Sequence, residues 1–191
     1  MPAPFEIYAT GALDLYLAVP NTADPVVNVA PPGAWIKVGV SGGQNYGEDG
    51  VHIRKETENN EVYTTGSYGV RKVFRTREVL KIGVQLMDAT LEAWRDAMNQ
   101  TVVTAAAGPP AIKSIPLLEN VATPTFRACL LRMSLSPYFD GGGFQFWVPV
   151  VYQTGSIDSQ FRKSDPAILE LEFTAVADAT NGFGKATAQT S

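Results

Sequence analysis

The stretch VRKVFRTREVLKIGVQLMDATLEAWRDAMN, Val70 to Asn99, constrains this chain more than any other. Leu80, Ile82, Val84 and Leu86 recur at every second position, with Val79, Lys81, Gly83 and Gln85 between them. That period of two marks a strand with one face against a core. The period then changes. Leu91, Trp94 and Met98 fall at helical spacing, which puts Trp94 in the core and turns Glu92, Arg95 and Asp96 outward. Asp88 is placed to cap this helix, because a short carboxylate accepts bonds from the unpaired first-turn N–H groups. Asn99 is placed to end it.

The other periodic segments are strands. GALDLYLAV (Gly11 to Val19) alternates Leu13, Leu15, Leu17 and Val19. A loop rich in Pro, Asn and Asp follows, with a short extended piece at Val26 to Val29, and then a second strand in WIKVGVSGG. VHIRKE sets Val51 and Ile53 opposite His52, Arg54 and Glu56. TENNEVYTTGSYG, Thr57 to Gly69, is almost without apolar residues and reads as an exposed loop or long hairpin tip. Four prolines keep Thr101 to Pro124 from being a single element. TFRACLLRMSLSPYF is apolar enough for a strand covered on both faces. FQFWVPVVY puts Phe144, Phe146, Val148, Val150 and Tyr152 on one face; Pro149 has no N–H for a ladder, so it marks an edge or a bulge. AILELEFTAVAD directs Leu169, Leu171 and Phe173 inward and Glu170, Glu172 and Thr174 outward. The small, polar residues 179–191 form a mobile tail in this reading. The sum is a mainly β chain: a β-sandwich or barrel of about seven or eight strands with one flanking α-helix, in a single domain spanning 1–191.

Composition excludes several function classes. A net charge of −4 opposes a protein that grips nucleic acid by neutralising phosphates. A single cysteine, Cys129, excludes an internal disulfide framework. Without a long apolar run or a basic-then-apolar N-terminus, the chain is expected to be soluble, with no membrane association and no classical export signal.

Catalytic hardware is sparse. GVSGG (Gly39 to Gly43) matches the serine elbow G-x-S-x-G around Ser41, but the following QNYGEDG cannot form the helix that an elbow needs. His52 is the only histidine, with no second histidine or clustered cysteine for a metal. Cys129 sits among apolar neighbours as a small buried hydrophobe. Asp49, Asp140 and Asp178 stand beside turn residues, where aspartate serves the backbone. The expectation is no enzyme, no cofactor and no metal.

Charge is concentrated instead. Arg54, Lys55, Arg71, Lys72, Arg75, Arg77 and Lys81 are seven of the fifteen Lys and Arg, and all flank the polar excursion. Glu48, Asp49, Glu56, Glu58, Glu61 and Glu78 roughly cancel them locally, as suits a polar interface matched sign for sign. Few aromatics are interleaved, whereas single-strand nucleic-acid binding would use them for stacking.

The order of landmarks resembles a family. TGALDLYLAVPNTADP, then GAWIKVGVSGGQNYGEDGVHIRKE, then VFRTREVLKIGVQLMDATLEAW and finally DPAILELEFTAVADATNGFG are similar to tail tube (major tail) proteins of long-tailed, non-contractile bacteriophages. The resemblance implies a virion protein made in the host cytoplasm, in which hexameric rings stack into a tube. Inner strands of six copies would close a β-barrel lumen that passes DNA without sequence-specific binding. An extended loop or hairpin near 56–69 would reach the next ring. It also implies tape measure, terminator and distal tail proteins as partners. Arg54, Glu56, Glu58, Glu61, Arg71, Lys72, Arg75 and Arg77 become inter-subunit candidates, with Glu56, Glu58 and Glu61 of a neighbouring copy opposite Arg75 and Arg77. Lys81, Gln85, Glu170 and Glu172 become lumen-facing or subunit-edge candidates. Two rivals are another assembly protein of related fold (a tail terminator, or the tube of a secretion system or gene-transfer particle) and a β-sandwich carbohydrate-binding module. The last would need exposed aromatics, and the patterns around Trp35, Trp94 and Trp147 bury them.

Overall fold

The computed structural model describes residues 13–39, 46–63, 65–66, 68–87, 90–99, 102–108, 110–117, 124–136, 138, 142–155, 157, 159 and 168–190, with the side chains of 48 and 49 left aside. Ser41, Asp88, Asp140 and the side chain of Asp49 therefore lie outside the described residues.

The chain is mainly β. Strands β1 (Leu13–Ala18), β2 (Ile36–Lys37), β3 (Tyr46–Val62) and β4 (Lys72–Leu86) precede the helix α1 (Leu91–Ala97). After it come β5 (Thr104–Ala106), β6 (Ile112–Ser114), β7 (Phe126–Met133), β8 (Phe144–Gln153), β9 (Leu169–Ala175) and β10 (Lys185–Ala188). One antiparallel sheet runs in the order β2-β1-β7-β8-β9-β4-β3, and β10 joins β8 on the flank that β9 leaves open. β5 and β6 form a separate, exposed two-stranded sheet.

The alternation in β4 and β9 does what the sequence asks. Ile82, Val84, Leu86, Leu169, Leu171 and Phe173 are all buried in one cluster, together with Leu15 and Leu17 of β1. In a flat sheet β3 and β1 would stand about 24 Å apart, five strand spacings. Here the Tyr46 hydroxyl of β3 accepts from Leu15 N at 2.8 Å and donates to Val38 O at 3.3 Å. The sheet curls until its two ends share side chains. Burial pushes the Tyr46 phenol up to about 12. The unfolded chain deprotonates this group near its ordinary 10 while the folded chain resists, so stability should fall as pH rises from 10 towards 12. Tyr46→Phe is expected to flatten that alkaline loss in pH-dependent denaturation; an unchanged slope would mean that Tyr46 does not carry it.

A second, smaller cluster lies on the opposite face, where Trp35 packs with Ala18, Ala128, Leu130, Trp147 and Tyr16. The loop from Thr22 to Val29 is held over it by polar anchors. Gln145, 1% exposed, donates to Asp24 and Pro25 O and accepts from Arg132, and Trp147 Nε1 donates to Thr22 O. Val26 to Val29 is a turn with Asn28 at φ +66°, not the extended piece that its three valines suggest. Of the described residues of WIKVGVSGG, Trp35 to Gly39, only Ile36 and Lys37 pair as strand.

Three irregularities break the period of two. Between Cys129↔Val148 and Arg127↔Val151, β8 carries one more residue than β7, so Pro149 sits at a bulge where its missing N–H costs nothing. The bulge reverses the faces: Val148 and Val151 both enter the main core, and Val150 does not continue the line of Phe146 and Val148. In β3, the interval from Tyr46 to Val51 faces only that from Leu86 to Val84, with Gly50 at φ +58°. The third irregularity, in β4, bears on the candidate surface. The C-terminal residues are not a mobile tail: Asp178 and Gly182 close a turn, and β10 pairs with β8.

The helix differs from its amphipathic reading. Its cap is Thr90, whose Oγ1 accepts from Ala93 N at 3.3 Å, and Asn99 ends it at φ +54°. Its buried residues are Ala93, Asp96 and Ala97, while Trp94 is half-buried against the main core. Small alanines let the helix sit close to the sheet, and the inward aspartate has a charged partner there.

Candidate assembly surface

β4 pairs with β9 only from Lys81 to Leu86. N-terminal to Lys81 it pairs only with β3, and the two strands continue together from Lys55↔Leu80 to Val62↔Lys72. Nine residues of β4 thus extend about 30 Å past the sheet as a two-stranded arm. The excursion from Glu56 is strand as far as Val62, so of the two readings, exposed loop or long hairpin, the structure forms the hairpin. The strand–strand register explains why so polar a segment stays ordered, yet a two-stranded ribbon alone is marginal in water.

The arm's two faces carry different charge sets. Glu58 pairs with Arg77 and Asn59 with Arg75, so Thr76 is extra and its Oγ1 donates to Glu58 O at 3.1 Å. This bulge separates Arg75 from Arg77, which a plain strand would put on one face. Arg75 joins Lys55 around Glu78, with Lys55 Nζ 3.3 Å from Glu78 Oε1. On the other face Arg54 Nε lies 3.2 Å from Glu56 Oε1, and Lys81 Nζ lies 3.7 Å from both Glu56 and Glu172. Glu56 and Glu78 are therefore engaged within their own chain, and each such exposed pair contributes only ~0–1 kcal/mol. Glu61 accepts from the Tyr63 hydroxyl at 2.6 Å, Lys72 lies over the Phe74 ring, and Arg71 N donates to Val62 O.

Lys81, Gln85, Glu170 and Glu172 share one polar sheet face. Lys81 stands opposite Thr174, Gly83 opposite Glu172, and Gln85 opposite Glu170, to which Gln85 Nε2 donates at 3.1 Å. His52 lies over Gly83 on this face, so closely that a Cβ at 83 would collide with the ring. Among the described residues no strand pairs with the outer flank of β3, nor, before Lys81, with the flank of β4 that faces away from β3. Such open flanks are pairing templates for another chain.

Sequence reasoning missed a further charged cluster. Asp96, 6% exposed, receives Arg127 Nη1 at 2.6 Å and Arg95 Nη2 at 2.8 Å, both on Oδ1. The helical wheel turns Asp96 outward because it assumes that charge avoids the core. Arg127, in the half-polar start of β7, is the one signal that a partner existed.

Chemistry elsewhere is thin. The Cys129 thiol is wholly buried, and burial pushes its pKa well above the ordinary range. His52 is exposed, and among the described residues no group of three His, Cys, Asp or Glu side chains is placed to hold a metal. Among those residues, too, no helix is long and apolar enough to cross a membrane. A scan of the chain against protein-family models and a search of curated proteins each return no match.

Proposed function

We propose that the chain is a structural subunit of a tube: a tail-tube-like protein whose copies form hexameric rings that stack into a conduit for a phage genome. The observation that carries this reading is the β3–β4 arm, which projects about 30 Å past the sheet and is covered by nothing described in its own chain. A monomer gains little from such an element. An assembly gains a long reach and two open strand flanks, and ring closure would remove those flanks from water. The curled sheet with α1 against its core supports the barrel-like part of the reading. The half-exposed, mixed-charge face of Lys81, Gln85, Glu170 and Glu172 suits a lumen or subunit edge, since a strongly basic lumen would hold DNA instead of passing it. A carbohydrate-binding module is less well supported, because Trp35 and Trp147 are buried and Trp94 is half-buried.

The test removes the arm. Replacing Asn59–Thr76 by Asn-Gly joins Glu58 to Arg77 through a two-residue hairpin turn. The variant is expected to melt within about 1 kcal/mol of the parent, because the arm buries little. It should form no tubes by negative-stain microscopy under conditions where the parent does. Tubes of normal length from the variant, or a parent that stays monomeric at every concentration and with particle lysate, would defeat the proposal.

A further inference from the structure

The arm has a tip that wants cover, and the far end of the sheet has a groove that wants an occupant. The groove holds about 430 Å³, within the ~300–1,000 Å³ of sites that take a ligand of several side chains. Its β1–β2 wall is Leu17, Val19, Ile36 and Val38, of which Val19 and Ile36 are 74% and 64% exposed. The facing wall is Phe126 with Arg95 and Arg127. Those two guanidiniums share the single carboxylate of Asp96, and the nearby Lys37 is balanced by Asp14 at 2.7 Å. The groove is therefore apolar on one side and carries one surplus positive charge on the other.

The tip is its complement. Residues 60–70 contain one charged side chain, Glu61, flanked by the exposed apolar and aromatic residues Val62, Tyr63, Tyr68 and Val70. Within one copy the two cannot meet. Val38, in the groove, is bonded to Tyr46, whose ladder partner is Leu86, whereas the tip begins beyond Val62 and Lys72 at the other end of the same ladder. Fourteen residue steps of β4 separate those ends, roughly 45 Å of strand.

We propose that the hairpin tip of one copy seats in the β1–β2/α1 groove of another, with Glu61 against Arg95 and Arg127 and the tyrosines against the apolar wall. The contact joins two different surfaces, so it propagates head to tail instead of closing a two-fold dimer. It rests on the assembly reading above and names the receptor for the arm.

Single cysteines test it, because Cys129 is fully buried. Tyr68→Cys (tip) mixed with Val19→Cys (groove) is expected to give intermolecular disulfides under mild oxidation. The yield should be at least tenfold above that of Tyr68→Cys with Val26→Cys, which is as exposed but lies on the loop over the opposite face. A cyclised, fluorescent peptide of residues 58–74 is the second probe. It should bind the arm-deleted subunit saturably and one to one, weaken with salt, and lose at least tenfold in affinity with Glu61→Lys. Equal cross-linking at Val19 and Val26 in material that forms tubes would overturn the groove and leave the tube reading intact. A subunit that never assembles but binds the peptide would do the reverse. No saturable binding of the peptide, or equal binding of its Glu61→Lys form, would overturn the proposal by itself.

Discussion

Asp96→Ala is expected to destabilise the subunit by about 3–5 kcal/mol, the loss found when one partner of a buried ion pair is deleted. The cause is what remains. Arg127 and Arg95 both depend on the single Asp96 Oδ1, and their side chains are only 18% and 23% exposed, so neither guanidinium can fully regain water. Asp96→Asn should cost less, because the amide oxygen still accepts one bond. Replacing the cluster together, Asp96→Leu with Arg95→Met and Arg127→Met, should recover most of the loss, since apolar side chains of similar volume often stand in for a buried ionic triad. Urea titrations of the parent and these three variants measure the differences. A cost below about 1 kcal/mol for Asp96→Ala would mean that the cluster is effectively solvated.

Phe173→Ala should cost a similar amount, about 3–5 kcal/mol, by a different mechanism. Phe173 is 1% exposed and paired with Ile82 on one side and Gln153 on the other, so its ring lies where β4, β8 and β9 converge. Truncation leaves a void that the surrounding strands cannot collapse into without breaking register. Val73→Ala on the arm is the matched control. Val73 is 54% exposed and beyond the reach of β9, so its change should stay within about 0.5 kcal/mol. Equal losses at the two sites, by urea denaturation, would mean that the arm is as much a part of the folding unit as the core.

Much of this architecture is legible in the residues, and each exception has its own cause. The faces of β1, β4 and β9 follow directly from alternation, because nothing interrupts the pleat between Leu80 and Leu86 or between Leu169 and Phe173. Alternation fails wherever one residue is inserted. Thr76 gives no sign of its bulge, and its effect is to put Arg75 and Arg77, two residues apart, on opposite faces. Pro149 does give a sign, since it lacks a donor, but the reversal it brings about at Val150 and Val151 depends on which strand pairs alongside. Asp96 fails for a third reason: its burial is set by Arg127, thirty-one positions away, and no local period can register such a partner. The candidate interface residues are legible as a charge cluster. Their division into a Lys55–Arg75–Glu78 set and an Arg54–Glu56–Lys81–Glu172 set is not, because it needs the register.

β4 is one strand, bulged at Thr76, from the core residue Leu86 to Lys72 beside the tip, which makes it a cantilever with its root clamped by six residue pairs to β9. A pull along the strand loads that whole ladder in shear, so its hydrogen bonds resist together. A sideways push on the tip loads the same ladder as a zipper, one pair at a time from Lys81. The subunit should therefore be stiff to tension along the arm and compliant to bending across it. A polymer joined through such arms could flex without being stretched.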